Sequence, residues 1–267
     1  VTYVVADLLE LARVAASSGG IYASHMRDES AKLLDAINDS IEIGEKSGIQ
    51  VEIFHFKAAY SPGWGKLVPE AGQLIADARA RGVSIATDMY VYTAGGTGLD
   101  ITVPNWVWEG GQKKGLQLLK DPQVRARLKK EVAAGSEPGW SNLVEASGGW
   151  DHIVLANAFN PKYDAFRYKS IDFIAKQLHR DPADVAWDIV LGSQPNRAMA
   201  LFFMMSEPDI EMALRWPWMS IGSDAGANTA PGEMDDIGLP HPRAYANFPR
   251  LIAEYVKKRH VLTLEDA

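Results

Sequence analysis

Val51-Glu-Ile-Phe-His55 is a short apolar run that ends on a histidine. The arrangement recurs on either side of it, in Ile21-Tyr-Ala-Ser-His25 and Val83-Ser-Ile-Ala-Thr-Asp88, and again far along the chain in Trp218-Met-Ser-Ile-Gly-Ser-Asp224. Short apolar runs of this kind are what a parallel α/β sheet requires, because helices cover both of its faces. The segments between the runs have helical spacing. Asp7 to Ser17 places Leu8, Leu9, Leu11, Ala12 and Ala15 on one side and is ended by Gly19-Gly20. Ser30 to Lys46 repeats Leu33, Leu34, Ile37 and Ile41, and Pro69 to Ala80 starts with proline in its first turn. The strand starts near 21, 51 and 83 are therefore one βα unit apart, roughly 30 residues, and three such units in a row predict right-handed parallel crossovers, a pattern that a doubly wound sheet would share.

The rhythm breaks at Thr97 and stays irregular to about Leu201, through Trp106, Trp108, Gly110-Gly111, a charged helix near Pro122 to Ala133 and a Gly/Ser-rich stretch from 135 to 150. A short strand at Ile153 to Leu155 and helices at Ser170 to Leu178 and Pro182 to Leu191 are expected within it. So long an interruption between barrel-like strands reads as an insertion over the active-site face. Ser206 then caps a helix to about Arg215, a strand runs from Met219 to Ser223, His241-Pro-Arg243 falls in a loop, and Phe248 to Lys258 forms a last amphipathic helix. The expected organisation is 1–96 as βα units, 97–201 as the insertion, and 202–267 as the final strand and helix.

At 267 residues, 47% hydrophobic and 23% charged, the composition is that of a globular enzyme. A formal charge of −7 with no Lys/Arg-rich run leaves no footprint for nucleic acid or an anionic membrane. No apolar stretch approaches the roughly 20 residues of a membrane helix. With no cysteine, the chain can supply no disulfide, thiolate nucleophile or thiolate metal ligand, which fits a cytoplasmic setting.

Strand-end side chains of neighbouring barrel strands converge on a common mouth, where β/α barrels carry their chemistry. His25 and His55 hold equivalent positions in consecutive units and so read together as metal ligands, the alternative being hydrogen-bonded histidines near helix starts. Asp224 follows a strand among small residues. It can hold a metal or move a proton, and the N-cap alternative is disfavoured because Pro231 and Gly232 interrupt any following helix. Tyr90 can reach over the pocket as a hydrogen-bond donor or pack in the core, and Arg243 can clamp a carboxylate or stay solvated. Lys57 can contact a substrate, but the favoured reading is a solvated lysine. Gly63-Trp-Gly-Lys66 and Gly95-Gly-Thr-Gly98 are weak phosphate-loop look-alikes. His152, His179 and His260 lie in surface-like contexts.

Several segments together carry a more specific signal. They are Gly20-Ile-Tyr-Ala-Ser-His-Met-Arg-Asp-Glu29, His55-Phe-Lys57 with Trp64-Gly-Lys66, Asp88-Met-Tyr-Val-Tyr-Thr-Ala-Gly95, Gly222-Ser-Asp224, and His241-Pro-Arg243 followed by Phe248-Pro-Arg250. In this combination and order the chain resembles the N-acyl-D-amino-acid deacylases of the amidohydrolase superfamily. The resemblance implies an α/β fold, a metal-dependent (β/α) barrel represented by its strands 5 to 8, with a long insertion after the seventh. It implies zinc bound by His25 and His55, Asp224 as the catalytic proton carrier, Arg243 and Tyr90 holding the substrate carboxylate, and a small N-acyl amino acid as substrate. Val91 and Gly96 stand where the family often has proline and serine. The family's His-x-His pair and bridging cysteine do not occur, so half a barrel and half a metal site are expected. Two rival readings stay open: a cyclic-amide hydrolase of the hydantoinase or dihydroorotase kind, and a catalytically incompetent barrel fragment whose strand edges favour a homo-oligomer.

Overall fold

The computed structural model describes residues 2–137, 139–226 and 241–267. In chain order the elements are α1 (Thr2–Ser17), β1 (Ile21–Ser24), α2 (Leu33–Ser47), β2 (Gln50–Ile53), α3 (Leu67–Ala80), β3 (Ile85–Met89) and β4 (Ala94–Gly98). Then come α4 (Gln112–Leu118), α5 (Pro122–Ala134), α6 (Leu143–Ser147), β5 (Ile153–Asn157), α7 (Ile171–Leu178), α8 (Pro182–Gly192) and β6 (Met199–Phe203). The chain continues through α9 (Glu207–Ala213), β7 (Met219–Ile221) and α10 (Arg243–Arg250).

Four strands form one parallel sheet in the order β1-β2-β3-β7. Val51 stands opposite Tyr22 on one side and Ile85 on the other, and Asp88 stands opposite Ser220. Alternation along the strands is strict in β2 and β3. Val51, Ile53, Ile85, Thr87 and Met89 are buried, whereas Gln50, Glu52, Ala86 and Asp88 face the other way and are more accessible. The buried face packs on α2 and α3 through Leu33, Ile37, Ile41, Val68, Ala71 and Ile75. The two helices lie close to the sheet and its loops: a side chain at Gly44 would stand 2.9 Å from both Val51 and Val83, and one at Gly72 would strike Trp216 at 2.5 Å.

The three βα units expected from the sequence are present, with boundaries shifted by a few residues. Asp28 accounts for one shift. Its Oδ1 accepts the Ser30 and Lys32 N–H groups, so α2 begins at Leu33 rather than Ser30. The irregular stretch after Thr97 holds more order than its pattern reveals. Strands β4, β6 and β5 form a second, antiparallel sheet, in that order. The central strand β6 is separated in sequence by long connections from both partners, β4 (Ala94–Gly98) and β5 (Ile153–Asn157), so no hairpin signal marks either pairing. Gly95-Gly-Thr-Gly98 lies in β4 and cradles no phosphate loop. This sheet has its own core around Phe202, Leu155, Trp187, Ile174 and Leu99.

The end of the chain also departs from expectation. Arg243 is not in a loop but is the first residue of α10, and the helix continues through Pro249 into wider π-type turns over Leu251–Lys258. Proline has no N–H to give to the ladder and crowds the preceding turn, which accounts for a change of winding there. Among the described residues no helix is long and apolar enough to cross a membrane. Ile53, fully buried at the centre of the parallel sheet, and Ile21, 56% exposed on its edge, give a clear contrast. Ile53→Ala should lower unfolding free energy by about 3 kcal/mol and Ile21→Ala by less than about 1 kcal/mol, as read by denaturant unfolding.

Candidate metal and substrate site

The C-terminal ends of the parallel strands open into a cavity of about 810 Å³. It is lined by His25, Glu29, His55, Lys57, Tyr90, Asp224 and Arg243 together with the apolar Ile101, Trp140, Leu143 and Met204. A volume of that order suits a small-molecule ligand. All five residues singled out from the sequence (His25, His55, Tyr90, Asp224 and Arg243) thus border one space, although they span more than 200 positions.

His25 follows β1 and His55 lies just beyond β2. His25 Nδ1 and His55 Nε2 are 2.9 Å apart, with the rings edge to face. Glu29 completes the group: its Oε1 lies 2.7 Å from His55 Nδ1 and 3.9 Å from His25 Nδ1. These three side chains can present ligand atoms all within 4.8 Å of one another. Glu29 was not singled out from sequence. Its position, i+4 from His25, is the only local signal, and Glu29 follows the strand rather than lying on a helix, so that spacing carries no weight by itself.

Two strand-end residues take left-handed backbone conformations, His55 at φ 40° and Asp224 at φ 47°. Such conformations are costly for residues other than glycine and persist where surrounding bonds hold them. At His55 the holding bonds are visible: its N–H donates to Asp88 Oδ1 at 2.8 Å, and the Phe56 N–H donates to the Asp88 carbonyl at 2.7 Å. Asp88 is a second site residue that sequence reading passed over. Burial pushes its carboxyl up, partly offset by the His55 N–H it accepts.

Lys57 is buried, not solvated. Its Nζ lies 2.7 Å from Glu29 Oε1 and donates to the His55 carbonyl at 2.8 Å. Burial pulls the Lys57 ammonium below its ordinary value, against the opposing effect of Glu29. Burial likewise pushes the Glu29 carboxyl up, but Lys57 and His55 outweigh it and leave it below the usual range. Glu29 Oε1 is buried, with the Lys57 ammonium and His55 Nδ1 each 2.7 Å away. It is a buried acceptor aimed at two imidazoles.

The second half of the site is a cation–aromatic stack. The Arg243 guanidinium lies 4.4 Å from the Tyr90 ring centre and the Lys57 ammonium 5.5 Å. Arg243 Nη1 pairs with Asp224 Oδ2 at 2.8 Å. The Tyr90 hydroxyl is buried without a hydrogen-bond partner among the described residues, and burial raises its pKa. Pro231 and Gly232, which argued against a helix after Asp224, lie outside the described residues.

The remaining motif residues do structural work. Trp64 Nε1 donates to the Met204 carbonyl at 2.9 Å, and the Gly65 N–H donates to buried Asp209, so the segment braces β6 and α9 rather than binding phosphate. Asn247, also buried, accepts the Val91 N–H at 2.9 Å and donates to the Gly222 carbonyl at 2.8 Å, which ties α10 to the ends of β3 and β7. His152, His179 and His260 are exposed, as expected.

The chain is 27% identical over 261 residues to a D-aminoacylase of Alcaligenes xylosoxydans xylosoxydans and 25% identical over 264 residues to an N-acyl-D-glutamate deacylase of the same organism. Its relatives are N-acyl-D-amino-acid deacylases. In each case 98% of this chain is covered but only 41% of the relative, so the chain spans about two-fifths of their length. No protein-family model matches. A crystal structure of D-aminoacylase superposes with TM-score 0.66 at 23% identity, covering 98% of this chain and 42% of that one. N-acyl-D-glutamate deacylase from Bordetella bronchiseptica, solved with zinc and a phosphonate mimic of the tetrahedral intermediate, gives 0.68 at 22%, covering 98% and 43%. The mixed α/β fold of these deacylases is thus also the fold of this chain.

One consequence of the site can be measured without any ligand. Burial, reinforced by the neighbouring Arg243, draws the His241 imidazole down to about 4 from 6.5. The folded protein holds this ring neutral while the unfolded chain protonates it, so its contribution is complete above about pH 6.5 and is lost as pH falls towards 4. Unfolding free energy should drop over that interval by up to about 3 kcal/mol from this group, and His241→Gln should flatten that part of the pH–stability curve.

Proposed function

We propose that the chain carries part of the active site of a metal-dependent hydrolase that cleaves the amide bond of N-acyl-D-amino acids, releasing a carboxylate and a free D-amino acid. One observation carries the reading: two strand-end histidines and the buried Glu29 carboxylate share a cavity with Asp224 and Arg243. Two imidazoles and a carboxylate are a donor set that suits zinc, so His25, His55 and Glu29 are assigned as its holders. Zinc bound there would supply Lewis-acid activation of water and of the acyl carbonyl.

The chain's own side chains do the rest. Arg243 presents a planar fork whose Nη1 is engaged by Asp224, leaving other N–H groups for the substrate carboxylate. The Tyr90 hydroxyl, lacking any other partner among the described residues, is a donor for the same carboxylate. Asp224 takes a proton from the attacking water as the new C–O bond forms, and passes it to the amide nitrogen as the C–N bond breaks. Asp88 keeps His55 in its strained backbone conformation and so keeps the imidazole aimed at the cavity. In this reading the parallel sheet is one arc of a (β/α) barrel, strands 5 to 8, and residues 97–201 are an insertion covering its active face.

Elemental analysis of dialysed protein beside His55→Ala is the direct test. Near-stoichiometric zinc in the unaltered chain and its loss in the variant are expected, and an absence of metal in both would overturn the proposal. For hydrolysis, release of amine from N-acyl-D-amino acids with no turnover of hydantoins is expected, the reverse pattern pointing to a cyclic-amide hydrolase. Asp224→Asn should keep its zinc but lose activity by about 10²–10⁴-fold.

A further inference from the structure

We propose that His241 is a positioning residue for Arg243, a neutral imidazole strut that docks the start of α10 on strand β4 and thereby aims the guanidinium into the cavity. The inference rests on the reading of Arg243 as the carboxylate-holding side chain. His241 itself does not line the cavity. Both of its ring nitrogens are committed elsewhere.

His241 Nδ1 accepts the Arg243 backbone N–H at 3.0 Å, which places the ring proton on Nε2, and Nε2 donates it to the Ala94 carbonyl at 2.7 Å. One nitrogen therefore grips the residue to be placed, and the other grips the first residue of β4. The Arg243 N–H is one of the donors that the first turn of α10 cannot satisfy internally, so the imidazole takes the part of a helix cap. The ring has little room to turn. Tyr92 meets it edge to face at 5.1 Å and Tyr90 is tilted against it at 5.9 Å. On its other side a side chain at Gly96 would come within 3.3 Å of both His241 Cβ and Cδ2. The glycine that replaces a hydroxyl residue in the resemblance thus makes space for this ring.

The consequence reaches Arg243 through its backbone. With its N–H fixed, the side chain extends over Tyr90, which itself touches His241, and meets Asp224 at 2.8 Å. No ring nitrogen remains to meet a substrate, so any influence of His241 on ligand binding must pass through Arg243 or through the Tyr90 ring packed against it.

The test uses His241→Ala, which removes both bonds, and His241→Asn, whose Oδ1 can still accept the Arg243 N–H in an Asx turn but cannot reach Ala94. Two readouts are taken on the zinc-loaded chain: calorimetric affinity for N-acetyl-D-leucine, and the Arg243 Nε–H signal in ¹H–¹⁵N spectra without ligand. That signal should be displaced by the Tyr90 ring beneath it. His241→Ala should weaken binding about tenfold, as expected for the loss of one hydrogen bond's worth of placement, and move the signal to that of a solvated arginine. His241→Asn should recover part of both. In an Arg243→Lys background, His241→Ala should add no further loss. An Arg243 signal unmoved in His241→Ala, or losses that simply add in the double variant, would overturn the proposal. If the unaltered chain binds no N-acyl amino acid, the deacylase reading fails, and the Arg243 signal still decides whether His241 places it.

Discussion

Everything at the site depends on the parallel hydrogen-bond ladder of β1, β2, β3 and β7. Parallel strands put all their C-terminal ends at one edge, so residues that follow them share one mouth however far apart they lie in sequence. His25, His55 and Asp224 converge for this reason alone. The ladder is anchored through the face on which Val51, Ile53, Ile85 and Met89 press on α2 and α3. A slip of one residue in β2 would turn Val51 and Ile53 outward and send Glu52 into the core, and the imidazole of His55 would leave the mouth with them.

The ladder brings side chains together but does not aim them. Aiming is done by short polar links between strand ends. Asp88, on the neighbouring strand, holds the His55 backbone in a left-handed conformation. Asn247 ties Val91 to Gly222 across β3 and β7, and Arg250 donates to the Val91 carbonyl at 2.7 Å. In α10, then, one helix carries Arg243 at its start and two side chains that lock it to the sheet. The antiparallel sheet contributes the facing wall and, through Ala94, a fixed point for that same helix.

Charge is balanced within the site by local pairing. Lys57 lies against Glu29 and Arg243 against Asp224, with the Tyr90 ring close to both cations. Burying a charge is tolerable only when a partner is close. The two pairs therefore keep a cluster of acids and bases at the mouth without a large net charge, and among the described residues the Tyr90 hydroxyl is left without a hydrogen-bond partner. Unsatisfied buried oxygens are uncommon enough to call for a function.

The sequence by itself determined the repeating βα units, the strand-end placement of His25, His55 and Asp224, and the surface character of the other exposed histidines. Those features are local: a short apolar run, a helical stripe and a polar residue after a strand are each written in a few consecutive positions. Tertiary structure alone decided the rest. Pairing of β6 with β4 and with β5 is antiparallel across long connections, and nothing in Gly95-Gly-Thr-Gly98 announces a strand. Lys57 looked solvated because lysine usually is, and it became buried only because Glu29 arrived beside it from another loop. Glu29, Asp88, His241 and Asn247 likewise acquired their roles from partners 26 to 156 positions away. Contacts at that separation are set by how sheets and helices pack, and no pattern within a single element records them.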